Sequence, residues 1–202
     1  MPYHFIFLPI VAYLLGSIPF GVLLTRYFGT VNVRDMGSRN IGATNVARLA
    51  GLKLGIPTLI GDALKGAVPV CLALGTADQY GGWEGEAYVS LVALSAFFGH
   101  LFSIFLNFEG GKGVATAAGC MAVIAPIPLI ISLIGFIGAI YRSRYVSVGS
   151  LTGTILLPIS VWLLMDSTVY LILALIMSAF ILYQFRSNIK RLLEGNELRF
   201  RS

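Results

Sequence analysis

Apolar positions dominate this chain in long runs, broken by short polar segments. Five runs, 5–25, 54–75, 87–108, 145–165 and 168–185, each come close to the ~20 residues that cross a ~30 Å hydrocarbon core. A sixth run, 114–140, contains Ala125-Pro126-Ile127-Pro128, where two prolines remove backbone donors and disfavour helix in the residues before them. One long helix and a pair of short ones both fit that run. As a pair, its arms of about 12 and 14 residues would reach only about 18–21 Å, less than a full crossing. Irregular backbone near its turn or its start would then need burial in protein or a watery cavity.

Charge chooses between the two. With a hairpin at 114–140, the 14 Lys and Arg fall on one side of the membrane or in spans near it. Asp78, Glu84, Glu86 and Asp166 then face the other side without a basic residue. A single crossing would put Arg142, Arg144 and the tail cations Arg186, Lys190, Arg191, Arg199 and Arg201 outside, against the positive-inside bias. The expectation is an all-α, polytopic integral membrane protein of seven transmembrane helices, N-terminus outside and C-terminus cytoplasmic, with residues 1–202 forming one membrane-embedded domain.

Composition agrees: 57% of residues are hydrophobic, 11% are charged, and mean hydropathy is +0.85. The net charge of +5 is explained by loop cations, so nucleic acid is not an expected partner. Cys71 and Cys120 lie inside apolar runs without metal-ligand spacing, and neither a disulfide framework nor a metal site is expected. The first run has no basic segment before it and no small-residue cleavage site after it, so it is expected to remain as a span. His4 is expected at the interface, and Trp83 and Trp162 in the aromatic belts. No convincing internal repeat is present.

Four polar segments are expected on the cytoplasmic side: the 34–48 loop, 100–113, 142–150 and 186–197. In "DMGSRNIGATNVAR", residues 35–48, Ser38, Asn40, Gly42, Thr44 and Asn45 are types that permit left-handed turns, free backbone N–H groups and helix caps, the makings of an anion-binding concavity. Thr44 or Asn45 is a candidate cap for a helix carrying Arg48, whose fork suits a phosphate. Arg34 and Arg39 need no more than the positive-inside rule. In "FEGGKGVAT", Gly110 and Gly111 would let backbone approach a ligand beside Lys112; Leu106 and Gly113 stand where a Walker A loop needs Gly and Ser/Thr.

Asp62 and Lys65 share one face of the second span, and an ionisable pair there is expensive unless paired. An ion pair fixing that helix is the simplest account, with Lys65 able to add positive potential to a site. His100, about one turn inside the third span, is either a general base or a packing residue. No G-x-S-x-G elbow, H-E-x-x-H, aspartate-rich magnesium motif or His followed five residues later by Asp is present. Chemistry in this chain must rest on positioning and charge.

"LLGSIPFG", "GSRNIGATNVAR", "GDALKGAVPV", "GHLFSIFLNFEGGKGVAT", "RYVSVGS" and "RSNIKRLLEGNE", in order along nearly the whole chain, resemble the bacterial acyl-phosphate-dependent glycerol 3-phosphate acyltransferases. The resemblance implies transfer of a fatty acyl group from acyl phosphate to the 1-hydroxyl of glycerol 3-phosphate, giving lysophosphatidic acid and phosphate for phospholipid synthesis. It implies a backbone phosphate cradle from Ser38 through Asn40, Ile41, Gly42, Ala43 and Thr44 to Asn45, with Gly37 beside it as a further substrate-binding candidate. Arg48, Lys112, Ser150 and Asn188 would then bind glycerol 3-phosphate or hold the site around it; with Lys65, Gly110 and Gly111, taken from residue chemistry alone, they are the substrate-binding candidates, and Arg48, Lys112, Ser38 and His100 are the catalytic candidates. No cofactor is implied; membrane lipid is, together with a functional link to the enzyme supplying acyl phosphate, in the bacterial inner membrane with the active site facing the cytoplasm. Arg39, Ser103, Glu109 and Phe185 depart from the family pattern, which more often has Gly or Lys, Pro, a basic residue and His at those places. The rival expectation is a transporter or channel for an organic phosphate.

Overall fold

A computed structural model of the chain describes residues 4–29, 31–77 and 81–199. Asp78, Arg201 and the side chain of His4 lie outside the described residues. All regular structure among the described residues is helical, in two compact units divided between Val123 and Ile124.

The first unit opens with α1 (His4–Ser17) and α2 (Phe20–Tyr27), which meet at a 44° bend. The expected continuous span at 5–25 is therefore broken. Pro19 supplies the cause: it lacks an N–H and pushes Ile18 out of helical geometry. Next come α3 (Ala43–Ala50), α4 (Leu52–Ala77) and α5 (Gly82–Leu101). The apolar run 87–108 is thus offset from its helix, which starts earlier and stops at Leu101. Beyond it a single 3-10 turn, Ile104–Leu106, leads to Asn107 and Phe108 with φ of 54° and 64°.

The first arm of the sixth run is α6 (Val114–Ile124), which packs between α4 and α5. A Cβ on Gly119 would lie 1.9 Å from the Ala63 carbonyl and one on Gly66 2.4 Å from that of Thr116, so glycine lets these helices touch backbone to backbone. Cys120 Sγ lies 3.8 Å from the Ala93 carbonyl on the α5 side.

The second unit holds α7 (Pro126–Ser143), α8 (Val146–Leu164), α9 (Thr168–Gln184) and α10 (Arg186–Leu193). The expected break falls at Ala125, and Pro126 begins α7, where a missing N–H costs nothing. The arms are unequal: α6 has 11 residues, about 16 Å, and α7 has 18, about 27 Å. Only α6 is too short to cross. Among the described residues four helices are long and apolar enough to span a membrane, or six if the bent pairs α1–α2 and α9–α10 each count as one.

Candidate active site

The 34–48 loop is built around one side chain. Asn45, 2% exposed, accepts the Ser38 N–H at its Oδ1 (2.9 Å), and its Nδ2 reaches the carbonyls of Asn40 (2.9 Å), Val33 (3.1 Å) and Met36 (3.2 Å). Gly37 has φ of 64°, and a Cβ there would stand 2.3 Å from Asn45 Oδ1, so this turn needs glycine twice over. Ile41 and Val46 join Val33, Leu54 and Leu106 in an apolar cluster beneath the loop. A Cβ on Gly21 would lie 1.9 Å from the Ile41 carbonyl, so the loop rests directly on α2.

Two expectations change here. Neither Thr44 nor Asn45 caps α3; the cap position is Gly42, without a side-chain cap bond, and Asn45 organises the loop instead. The cradle also has fewer open donors than the residue types suggested. The Ser38 N–H goes to Asn45 Oδ1, the Arg39 N–H to the Met36 carbonyl and the Gly42 N–H to Asn40 Oδ1. The N–H groups of Ala43 and Thr44, in the first turn of α3, have no helical acceptor and point along the positive end of its dipole. Arg39, Thr44 and Arg48 are exposed, while Ser38, Asn40 and Ala43 are half-buried.

The second loop, Gly110–Gly113, folds back on the end of α5. The Gly110 and Gly111 N–H groups each donate over 3.0 Å, to the carbonyls of Leu101 and His100. A Cβ on Gly111 would stand 2.2 Å from His100 Nε2, and one on Gly110 2.0 Å from the His100 carbonyl. These glycines let the loop approach a helix, where approach to a ligand was expected. Gly113, with φ of 82°, packs on Phe97 and Leu101, and half-buried Lys112 stands between the two contacts. Arg34 Nη2 meets Glu109 Oε2 at 2.7 Å, an exposed bridge between the loops worth little by itself.

Beneath both loops lies a charged cluster. Lys65 Nζ is 2.8 Å from Asp62 Oδ1, a buried ion pair, and donates to the Ile18 carbonyl over 2.8 Å. His100 Nδ1 is 3.6 Å from the same Asp62 oxygen. Lys65, expected to add potential to a site, has its ammonium buried and engaged inside the helices. His100 is 3% exposed, one ring nitrogen facing Asp62 and the other Gly111, a poor position for a general base. Ser103, at φ −64°, donates its hydroxyl to the Ser17 carbonyl, so the bend after α1 is held by Lys65 and Ser103 together.

In the second unit, Ser150 is buried in α8 and Asn188 in α10. Asn188 Nδ2 donates to Glu197 Oε1 (2.6 Å), and Arg191 Nε to Glu197 Oε2 (2.7 Å). Burial pushes the Glu197 carboxyl up, but these hydrogen bonds outweigh it and hold the group below the usual carboxylate range. Phe185 is buried at the α9–α10 bend. Sequence reasoning missed Glu197, Ser103 and the loop-organising role of Asn45. A Glu nine residues beyond Asn188 carries no local signal, since a tail that doubles back is a tertiary event. Among the described residues no three His, Cys, Asp or Glu side chains gather as metal ligands.

Apolar helices with glycine-rich and basic loops at their ends define a polytopic helical membrane protein. The family model for glycerol-3-phosphate acyltransferase matches residues 6–195. The chain is 44% identical over 191 residues to the glycerol-3-phosphate acyltransferase of Syntrophotalea carbinolica, covering 95% of each. It is 46% identical over 187 residues to that of Nitratidesulfovibrio vulgaris, covering 93% of this chain and 55% of that one. Among solved structures it is similar to PlsY (YgiH), an integral membrane glycerol 3-phosphate acyltransferase. The glycerol 3-phosphate form gives a TM-score of 0.89 at 38% identity, covering 98% of this chain and 96% of that one. The lysophosphatidic acid form gives 0.85 at 36%, covering 96% and 94%. The chain belongs to the glycerol-3-phosphate acyltransferase family.

Proposed function

We propose that this protein transfers a fatty acyl group from acyl phosphate to the 1-hydroxyl of glycerol 3-phosphate. The hydroxyl oxygen forms the new ester bond to the acyl carbon, the bond from that carbon to the phosphate oxygen breaks, and inorganic phosphate leaves. The products are 1-acyl-glycerol 3-phosphate, which is lysophosphatidic acid, and phosphate. The observation that carries the proposal is the match to PlsY in its glycerol 3-phosphate form along almost the whole chain.

An acyl phosphate is already activated, so no protein nucleophile is required. The task is to hold two anions together and to stabilise the charge that grows on the carbonyl oxygen. The first turn of α3, with the Ala43 and Thr44 N–H groups, is suited to one phosphate, and Arg48 and Lys112 supply the cations. Ser38 stands at the rim of that cradle; Ser150 and Asn188 are proposed to bind glycerol 3-phosphate. The departing phosphate takes the hydroxyl proton, since His100 is enclosed. The acyl chain lies among lipid-facing helices of a domain comprising residues 1–202, in which α6 is a seventh, short membrane segment beside six spans, N-terminus outside and C-terminus cytoplasmic, in the bacterial inner membrane. An enzyme making acyl phosphate supplies the donor.

Purified protein in detergent tests this against the transporter alternative. Phosphate release should require acyl phosphate and glycerol 3-phosphate together. Flux of glycerol 3-phosphate across protein-containing vesicles, without ester formation, would replace the enzyme with a transporter.

A further inference from the structure

We propose that Asp62 is a positioning residue: through Lys65 and His100 it holds the 34–48 loop and the Lys112 loop in register from inside the membrane-spanning helices. The inference rests on the acyl transfer proposed above. It begins from a cost. Asp62 is 2% and Lys65 6% exposed, within a helix long enough to cross the bilayer, and an isolated buried pair adds little stability that an apolar pair of similar volume could not match. What the charges contact accounts for them better than their mutual attraction does.

On one side, the Lys65 ammonium donates to the Ile18 carbonyl, which belongs to the α1–α2 bend just before Pro19 and also accepts the Phe20 N–H over 3.2 Å. This contact fixes the direction of α2. Because the Ile41 carbonyl sits where a Gly21 Cβ would be, a shift of α2 is a shift of the 34–48 loop. On the other side, Asp62 Oδ1 faces His100 Nδ1 at 3.6 Å, while the far edge of that ring abuts Gly111 and the His100 carbonyl accepts the Gly111 N–H. The next residue is Lys112. The Thr116 hydroxyl, in the first turn of α6, donates to the Asp62 carbonyl over 2.9 Å and ties down the far end of the same loop. Asp62 is the one residue of the cluster that faces both arms.

Removing the pair together separates positioning from simple charge balance. Asp62→Asn alone strands a buried ammonium, and both thermal stability and turnover should fall. In Asp62→Asn/Lys65→Met no unpaired charge remains, so the thermal midpoint of the purified full chain should return to within a few degrees of wild type. Turnover with a long-chain acyl phosphate and glycerol 3-phosphate should nevertheless stay at least about tenfold down, with kcat falling more than either KM rises, the signature of lost alignment. A double variant restored in both stability and kcat to within about twofold of wild type would overturn the inference. If the double variant does not fold, Asp62→Glu keeps the charge and moves the carboxylate by one methylene. It should fold with kcat at least about threefold down, and full kcat in that variant also overturns the inference. Wild-type protein that forms no ester at all removes the acyl-transfer proposal itself, an outcome distinct from either.

Discussion

Arg39 and Asn45 make opposite demands on the loop they share. Arg39 holds a left-handed backbone, φ 56°, that glycine adopts at less cost, and it is exposed. Arg39→Gly should therefore keep activity within about threefold of wild type and leave the thermal midpoint in detergent unchanged or higher. Asn45→Ala should do the reverse. It strips partners from the Ser38 N–H and from the buried Val33 carbonyl, at about 1–3 kcal/mol for each group left unsatisfied, and both activity and the unfolding midpoint should drop. The residue types of this loop were legible in the sequence, but their roles were only partly so. Asn suits a helix cap and a loop-organising hub equally well, and only the long-range packing of Ile41 and Val46 decides between them. Arg48, exposed on α3, should lose activity on replacement by Ala without unfolding the protein.

At the scale of elements, sequence exposed the breaks that proline makes and hid those that tertiary contacts make. Pro126 and Pro128 marked the division of the sixth run. Pro19 was equally visible, but the surrounding run was long enough to pass for one span. The end of α5 left no mark, because Phe102, Ile104, Phe105 and Leu106 continue the apolar run after the helix has stopped. Its terminal carbonyls are taken by Gly110 and Gly111, which return from the next segment. The tail beyond α10 is likewise held by a contact with no local signature, and that contact is pH-sensitive. Glu197 has a lowered pKa in the folded chain, so its carboxylate stabilises the docked tail above the ordinary carboxylate range. That contribution is lost as pH falls through the depressed value. Limited proteolysis should find the segment after Leu193 protected at neutral pH and cleaved faster in acid. Glu197→Gln should cleave faster at neutral pH and lose most of the acid dependence.

For the molecule as a whole, the sequence carried the family through long ordered motifs and the membrane class through its apolar runs. Orientation is an expectation from charge alone, a statistical bias with no contact behind it. Apolar side chains along α7, among them Ile127, Ile130, Ile134 and Ile137, are exposed, as a lipid-facing helix requires. Orientation is testable in a Cys71→Ser/Cys120→Ala background. A cysteine placed at Arg199 should react with an impermeant thiol reagent only from the cytoplasmic side, and one placed at Glu84 only from the outside. The most direct test of the central claim is donor choice in the purified protein, measured as formation of 1-acyl-glycerol 3-phosphate from glycerol 3-phosphate. Acyl phosphate should support turnover, while acyl-CoA and acyl thioesters of the carrier protein should not; turnover with a thioester donor and none with acyl phosphate would contradict the account.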